Sequence, residues 1–424
     1  MMNRAAVMAE RRAANLAQNY GRAINLSAGC AVLPLPVLKE AQKQFVDTRS
    51  SGVSIAEMGY RTRNFYREME EAEASFRKLL AVPDSYEVHF FNGGATLQFA
   101  AIPMNLLGVK NQPEDDKKKS TTAVDVEDPS VNYVMNGHWS EKARNEARLF
   151  TTRVNEVTKC PLGKDLFFSL SDEESDWKFD ERAVYTHYTA ADTRQGFEFQ
   201  EFPYHFVPQN QILCCDASAN LGSKPVDVAK YGVLYAAAHK NFSTSGCCYT
   251  IIRRDLIDAE RLLPNTPTMC NWSKFQAAEG KVYNVPVIFA IWLGKLTTNW
   301  MLEQGGLTFF EDLAIRRSRL LYDFIDHECD GFYKTFVSDP KFRSRMNIVF
   351  TIAPPENEKN PAKNVALVDQ FLRETGDELG WLDIRSHPLG IDSDAIRVTT
   401  YNAQTIEAVS IVRDFMKEFW ERHR

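Results

Sequence analysis

The sequence predicts an α/β protein whose largely parallel sheet is followed by a smaller α+β domain. Short apolar runs alternate with helical patterns through the first two-thirds of the chain, long connections separate them, and the pattern changes after about residue 300. Parallel strands need long crossover connections, usually helices that cover both faces of the sheet. The predicted strands cover residues 85–91, 132–135, 183–188, 211–215, 232–238 and 249–253.

The last third of the chain has a different pattern, in which helices alternate with antiparallel-looking strands. A chain of 424 residues with 44% hydrophobic content can bury one large core and a smaller one. We therefore expect an N-terminal extension over 1–20, a large domain over 21–303 and a small domain over 304–424. The predicted elements of the small domain are a helix at 313–327, a strand at 345–352, a helix at 362–374, a strand at 396–400 and a closing helix from Thr405.

Two details refine these boundaries. The first fifteen or so residues of the large domain are expected to pack on the small domain. The stretches 110–128 and 169–181 are charged, polar and without periodicity, which is typical of solvated surface loops.

Composition excludes several classes of function. The net charge is −6 and the basic residues are dispersed, so the electrostatic footprint of a nucleic-acid-binding protein is missing. The longest apolar stretch, about 285–293, is too short to span a membrane. The eight cysteines form no C-x-x-C pair and no histidine lies in an H-E-x-x-H motif, so we predict no metal site and reduced thiols in a cytoplasmic protein. The Ala- and Arg-rich residues 1–20 leave organelle targeting as the alternative.

The segment 231–255 contains the central chemical feature. An apolar strand leads into His239 and Lys240, a Ser/Thr/Gly turn follows, and a second apolar strand begins. An amine at the end of a buried strand has a lowered pKa and can attack an aldehyde, which makes Lys240 the candidate imine-forming lysine. The alternative is a lysine that extends its amine from a strand end into solvent.

Three further segments place chemistry at strand ends. Asp216 follows a buried strand and could keep a pyridine nitrogen protonated, although an Asp there is also a common helix N-cap. The turn at 92–96 joins a strand to a helix start, which favours a phosphate. Trp139 precedes a residue, Ser140, that could cap the next helix, and its indole could stack on a planar ring at the carboxyl edge of the sheet.

These stretches resemble the phosphoserine aminotransferase family of the class V, fold type I pyridoxal-phosphate (PLP) enzymes. The similarity runs from about Ile24 to the end of the chain, interrupted by the charged loops. The resemblance implies a mostly parallel seven-stranded sheet and a homodimer with shared active sites. The matching stretches are NLSAGCAVLPLPVL at 25–38, YRTRNFYREMEEAEASFRKLL at 60–80, GGATLQFAAIPMNLL at 93–107, HYTAADTRQG at 187–196, SKPVDVAKYGVLYAAAHKN at 223–241, RSRMNIVF at 343–350 and IRVTTYNA at 396–403.

The resemblance also implies a role for individual residues. Lys240 would form the Schiff base with PLP, Asp216 would pair with the pyridinium nitrogen, and Trp139 would stack on the ring. Thr193 would hydrogen-bond the ring hydroxyl. The residues implied to hold the cofactor phosphate are Ala95 and Thr96 through their backbone, Ser218, His239, and Asn284 from the second subunit; those implied to bind substrate are Arg397 for the carboxylate, and Arg61 and His387 for the substrate phosphate.

This sequence departs from the family pattern at positions that handle phosphate. The family's Gly-Gly-Arg turn is Gly94-Ala95-Thr96 here, its Gln-Lys is His239-Lys240, and its Asn-Thr is Asn284-Val285. Its second His-Arg pair is His387-Pro388, so an arginine is missing there unless Arg385 replaces it.

The predicted function is transamination between phosphoserine and 3-phosphohydroxypyruvate, with glutamate and 2-oxoglutarate as the other pair, as in serine biosynthesis. Two alternatives stay open: a related class V aminotransferase with a non-phosphorylated acceptor such as glyoxylate, and a non-catalytic relative that only binds ligands. We expect no nucleic-acid or membrane partner.

Overall fold

The computed structural model describes Glu10 and residues 21–108, 128–158, 170–171, 173–357, 361–384 and 395–424. The predicted N-terminal extension therefore lies, apart from Glu10, outside the described residues. Most of the charged loop 110–128 lies outside them as well, and so do Arg385 and His387.

A seven-stranded sheet forms the centre of the first two-thirds of the chain, in the order β1-β9-β8-β7-β4-β2-β3. Strand β9 runs antiparallel to both of its neighbours, and the remaining pairs are parallel. The α/β prediction is thus confirmed. The strands are β1 Tyr86–Asn92, β2 Val131–Tyr133, β3 Val154–Glu156, β4 Tyr185–Thr189, β7 Ile212–Asp216, β8 Val233–Ala237 and β9 Cys247–Arg253, and a separate hairpin consists of β5 Ala191–Asp192 and β6 Phe197–Glu198.

Two hydrophobic cores cover the two faces of this sheet, because residues along a strand point alternately to opposite sides. Cys214 belongs to one core and Cys215 to the other. The helices of the large domain are α1 Leu35–Gln44, α2 Arg63–Leu80, α3 Gly94–Leu106, α4 His138–Ala147, α5 Trp272–Ala277 and α6 Ile288–Glu303.

A three-stranded antiparallel sheet with helices on it forms a third core near the end of the chain. Its strand order is β10-β11-β12. Helix α7 begins seven residues before the predicted start at 313, and it joins the cores: Phe310 packs in the large-sheet core, whereas Phe324 packs in the small one. The elements are α7 Gly306–His327, β10 Tyr333–Thr335, β11 Asn347–Ile352, α8 Pro361–Arg373, β12 Ile396–Thr399 and α9 Ile406–His423.

The start of the described chain also packs against this small core. Ile24 and Leu26 are buried members of it. The backbone nitrogen of Leu26 donates to Leu382 O at 2.9 Å, and the nitrogen of Leu382 donates to Ile24 O at 2.9 Å. The residues just before the large sheet therefore pack on the core of the three-stranded sheet.

Candidate active site at the carboxyl edge of the large sheet

Parallel strands bring the residues that follow them to one edge of the sheet. Asp216 is the last residue of β7, and Lys240 follows β8 by three residues. Strands β7 and β8 are neighbours in parallel register, with Asp216 opposite Tyr235. The two candidate catalytic residues therefore lie at the same edge, where open α/β sheets bind their ligands.

Lys240 lies half-buried in an environment that changes its acid–base behaviour. Burial lowers the pKa of its amine, and the negative charges of Asp216 and Asp192 oppose that shift. Its Nζ lies 5.8 Å from the centroid of the Trp139 ring. A lysine in this setting is neutral more often than one in water, so its nitrogen can act as a nucleophile and as a proton carrier.

Asp216 is buried, and burial raises the pKa of its carboxyl group above the ordinary value. The charge of Lys240 and hydrogen bonds from Ser218 oppose this rise, including a 2.9 Å bond from the Ser218 backbone nitrogen to Asp216 Oδ1. The Ser218 hydroxyl accepts from the nitrogen of Ala237 at 2.9 Å, which ties the turn after β7 to the end of β8. Among the described residues no helix begins directly after Asp216, so the helix N-cap alternative is wrong, and the carboxylate instead closes a turn by accepting from the nitrogen two residues later.

Trp139 and Thr193 contact one another above this edge. Trp139 Nε1 donates to Thr193 Oγ1 at 3.0 Å, so the indole has a fixed orientation. Helix α4 begins at His138, which places Ser140 inside its first turn rather than at the cap position, so the predicted cap is wrong. The Ser140 hydroxyl instead accepts from the nitrogens of Asn136 and Gly137 at 3.0 and 3.1 Å.

Asp192 is a site residue that sequence reasoning missed. It is fully buried, and Oδ2 accepts from the backbone nitrogen of Trp139 at 2.9 Å, while Oδ1 accepts from the nitrogen of Arg194 at 2.8 Å. Burial raises the pKa of this carboxyl group, and these backbone donors oppose the rise. The Asp-Thr-Arg-Gln-Gly run at 192–196 is typical of an aspartate that accepts from the nitrogen two residues later, and that signal could have identified it.

The glycine turn after β1 opens helix α3. Gly93 and Gly94 have φ of +96° and +64°, and a Cβ built on Gly94 would meet nothing within 4 Å. Ala95 is half-buried and Thr96 is exposed in the first turn of the helix. Free backbone N–H groups and open space at a helix start are suited to an anion such as a phosphate.

His239 lies next to Lys240 and against the start of the chain. Burial and the neighbouring lysine charge lower the pKa of its imidazole to about 4, so the ring is neutral near pH 7. The backbone of Gly29 lies against this ring, because a Cβ at residue 29 would lie 2.6 Å from His239 Cδ2. The nitrogen of Ala31 donates to His239 O at 2.9 Å. Segment 29–31 therefore forms one wall beside the candidate lysine.

Arg397, on β12 of the small sheet, reaches this edge of the large sheet. It is buried, and its Nη1 donates to Thr193 O at 3.3 Å. Burial lowers the pKa of the guanidinium from its ordinary value. The contact places a cation from the three-stranded sheet beside the Trp139–Thr193 pair.

Two predicted residues lie on the surface of the single chain. Arg61 is exposed and stacks over the Tyr60 ring at 5.3 Å, and Asn284 is exposed next to Val285, whose carbonyl accepts from Asn92 Nδ2 at 3.1 Å. His387 lies outside the described residues, so its placement stays a prediction.

Two buried polar atoms at this edge have hydrogen-bonding capacity that the protein does not use. Among the described residues, Thr189 Oγ1 and Asn136 Oδ1 are buried and have no hydrogen-bond partner. Thr189 lies opposite Asp216 in the β4–β7 register, and Asn136 Nδ2 donates to Thr189 O at 2.6 Å. These atoms, the open turn at Gly94 and the Asp216 carboxylate fit a planar, phosphate-bearing group with a ring nitrogen.

Candidate metal-ligand groups and membrane-spanning helices are both absent from the part of the chain that the structure describes. Its histidines, cysteines and carboxylates form no group of three or more that could hold a metal ion. None of its helices combines the length and the apolar composition that a membrane crossing needs.

Comparison with known proteins gives a consistent result. The family model described as aminotransferase class-V matches residues 23–361. A phosphoserine aminotransferase of Lysinibacillus sphaericus is 36% identical over 403 residues, which cover 95% of this chain and 99% of the relative. A phosphoserine aminotransferase of Chromobacterium violaceum is 36% identical over 397 residues, which cover 93% of this chain and 97% of the relative.

Solved structures agree with the sequence matches. The phosphoserine aminotransferase of Bacillus circulans subsp. alkalophilus superposes with a TM-score of 0.81 at 31% identity and covers 95% of this chain and 99% of its own. A PLP-bound phosphoserine aminotransferase of Trichomonas vaginalis gives 0.78 at 32% identity, with 93% and 100% covered. A ureidoglycine–glyoxylate aminotransferase of Bacillus subtilis gives 0.68 at 15% identity and shares the fold alone.

Proposed function

The chain belongs to the class V aminotransferase family, and from this premise we propose that it transfers an amino group between phosphoserine and glutamate through their keto acids, with PLP as cofactor. The observation that carries the proposal is the placement of Lys240 within the electrostatic reach of Asp216 and beside the Trp139 ring. Bound at this edge, PLP would supply an aldehyde that links to amines and a ring that accepts electrons from the substrate α-carbon.

Lys240 is the residue we propose to link to the cofactor and to move the substrate α-proton. Its lowered pKa supports both tasks, because a neutral amine is needed to attack an aldehyde and to accept a proton. The protonated amine then returns its proton at the end of each half-reaction. The pyridine-nitrogen partner we propose is Asp216, which is the buried carboxylate at the strand end beside it.

Trp139 and Thr193 are proposed to orient the cofactor ring. The Trp139 indole is held by its bond to Thr193 Oγ1, which leaves the threonine hydroxyl proton available to a ligand oxygen. Asp192 supports both residues by holding the backbone nitrogen of Trp139. Because the Trp139 ring and the Thr193 hydroxyl are already oriented, less side-chain conformational entropy is lost when the cofactor binds.

A phosphate group is proposed to bind at the start of α3. The backbone of Ala95 and Thr96 offers donors at a helix N-terminus, and Ser218 and His239 lie on the adjoining strand ends. We propose that Asn284 completes this cup from a second copy of the chain. Its exposure on the single chain supports that assignment.

Substrate anions are proposed to bind to arginines. Arg397 takes the α-carboxylate, and its buried position beside Thr193 supports that role. Arg61 of a second subunit, with His387, takes the substrate phosphate. The planar fork of an arginine binds carboxylate and phosphate groups through two parallel hydrogen bonds.

We also propose a cytoplasmic homodimer. Several large apolar side chains are exposed near the end of α1 and around the start of α6, and two of them, Phe45 and Phe289, pack edge to face with centroids 6.1 Å apart. Exposed apolar groups in one region are typical of an interface. The other exposed members are Val46, Tyr283 and Val285.

The experiment is to follow the cofactor spectrum of the purified protein after single additions of phosphoserine, glutamate and alanine. Conversion by phosphoserine and glutamate at comparable rates supports the proposal. Rapid conversion by alanine but not by phosphoserine would favour a class V enzyme with a non-phosphorylated acceptor such as glyoxylate. That alternative has one specific observation behind it, since Thr96 and Pro388 stand where the phosphoserine family has arginines.

A further inference from the structure

The hairpin β5–β6 presents an arginine beside the candidate site that no role assigned so far uses. Its turn, residues 193–196, is held by Asp192, which accepts from the nitrogen of Arg194 at 2.8 Å, while the nitrogen of Gly196 donates to Asp192 O at 3.1 Å. The backbone at Arg194 is therefore fixed immediately after Thr193, the residue that contacts Trp139 and Arg397.

The side chain of Arg194 is oriented toward the start of α4. Its Nη1 lies 3.1 Å from His138 Nδ1. A guanidinium is always a donor, so His138 accepts at Nδ1 and is neutral in this contact. The His138 ring in turn packs edge to face on Trp139, with centroids 5.4 Å apart and planes at 70°. The Arg194 guanidinium is thus separated from the Trp139 ring, which is proposed to stack on the cofactor, only by the His138 ring.

Arg194 and Arg397 approach the site from different domains. Arg397 comes from β12 of the small sheet and Arg194 from the hairpin at the large sheet, and both contact the Trp139–Thr193 pair or its neighbours. The charge of Arg194 is close enough to contribute to the lowered pKa of Arg397, although burial is the larger cause. The negative charges of Asp383 and Asp192 act on Arg397 in the opposite sense, and an anionic ligand group bound beside either guanidinium would add to that compensation.

We propose that Arg194 is a specificity-determining residue that adds a same-chain contact to the distal anion of a dianionic amino-acid substrate, alongside the Arg61 contact proposed above, while Arg397 binds the α-carboxylate. This proposal rests on the proposed function and narrows it: the distal group is a phosphate ester or a side-chain carboxylate.

The test uses the PLP-loaded enzyme and two variants, Arg194→Gln and Arg194→Lys. Arg148→Gln is the matched control, because Arg148 is exposed and its ion pair with Glu156 lies on the surface. We expect Arg194→Gln to lower kcat/KM for phosphoserine and glutamate about ten- to a hundredfold and to change alanine about twofold or less. Arg194→Lys should give kcat/KM values between those of wild type and Arg194→Gln, since lysine keeps the positive charge but lacks the planar, two-pronged donor geometry of arginine.

A binding measurement gives a readout independent of turnover. Calorimetric titration with glutarate, an unreactive dianion, should show a Kd weakened by the same factor in Arg194→Gln, whereas butyrate should bind wild type and variant equally. Equal losses for all three donors, or unchanged glutarate binding, would overturn the proposal. If wild type fails to use phosphoserine but the glutamate and glutarate effects hold, the proposed function fails and the role of Arg194 stands.

Discussion

The backbone nitrogen of Trp139 donates to Asp192 Oδ2 at 2.9 Å, which ties the start of α4 to the hairpin that carries Thr193. Because Trp139 also donates from its indole to Thr193 Oγ1, the tryptophan is held at two points by consecutive residues. Its ring orientation therefore depends on a carboxylate that touches it only through the main chain.

Replacing Asp192 should weaken cofactor binding without removing any proposed cofactor contact. Asp192→Ala leaves several buried backbone donors unsatisfied, which costs on the order of 1–3 kcal/mol per group. We expect a lower thermal midpoint and a weaker Kd for PLP, measured by dialysis and absorbance. Asp192→Asn, which keeps one acceptor oxygen, should fall between alanine and wild type. A variant with unchanged PLP affinity would contradict the positioning role.

Lys240 should be the residue that borohydride reduction labels with a pyridoxyl group. Lys142 provides a control in the same surroundings, because its Nζ lies 5.0 Å from the Trp139 centroid but the residue is exposed. We expect Lys240→Ala to lose the label and about 10²–10⁴-fold of the turnover, the range for a general base, and Lys142→Ala to keep both. Peptide mapping by mass spectrometry checks the site. Label on Lys142 would refute the assignment.

Asp216→Asn should slow the half-reaction while leaving the fold intact. An amide cannot hold a pyridine nitrogen protonated, so we expect a loss of about 10²–10³-fold, comparable to removing one charge-stabilising group from a buried site. Because burial raises the pKa of Asp216, its ionised form is disfavoured in the folded state, and an amide there should not lower the thermal midpoint. The exposed Asp227→Asn is the control. Near-normal stopped-flow rates would show that Asp216 only stabilises the turn after β7 and has no role in catalysis.

Hybrid dimers test whether the active site is shared between subunits. A dimer of one Lys240→Ala chain and one Arg61→Ala chain has one intact site if Arg61 acts across the interface, and none if it acts within its own chain. Coexpression with two affinity tags isolates the hybrid, and phosphoserine turnover is measured. The control pairs Lys240→Ala with Asp216→Asn, which leaves no intact site in either arrangement. Absence of recovered activity in the first hybrid would exclude sharing through Arg61.

Acid should destabilise the protein in part through His89, which lies on β1 away from the candidate site. Burial lowers the pKa of His89 to about 3, and neither ring nitrogen has a hydrogen-bond partner in the described residues. The unfolded state binds the proton first below pH 6.5, so stability is lost as pH falls from 6.5 toward 3.

At pH 5 this loss amounts to roughly 2 kcal/mol for His89. Urea unfolding of His89→Leu should therefore show a smaller difference in free energy between pH 7 and pH 5 than wild type shows. The exposed His205→Leu should behave as wild type does. An unchanged pH dependence in His89→Leu would show that the group is solvated in the folded state.

The parts of the fold that the sequence predicts are those with a strong apolar pattern. Strands β7, β8 and β9 lie in largely apolar runs, and β1 and β4 lie in aromatic-rich runs with interspersed polar residues, because both faces of the sheet are covered. Strand β3 was missed because none of its three residues is buried, so its sequence has no apolar pattern.

The site shows the same division. Asp216, Lys240 and Trp139 could be placed because each lies at the end of a strand or within six residues after it. Asp192 could not, because its importance comes from backbone groups of α4 that approach it only in the folded chain. The roles of these residues stay predictions until the variants above are measured.

The stretch from Ile24 to Ala31 touches both halves of the molecule within eight residues. Its first part is anchored to Leu382, and its last part presses on His239, the neighbour of the candidate lysine. Any rotation of the small domain relative to the large sheet would therefore pull on the wall beside Lys240. For protein engineering, this makes residues 24–31 unsuitable for deletion or for a permuted terminus. A chain break there would disconnect the contact with Leu382 from the contact with His239.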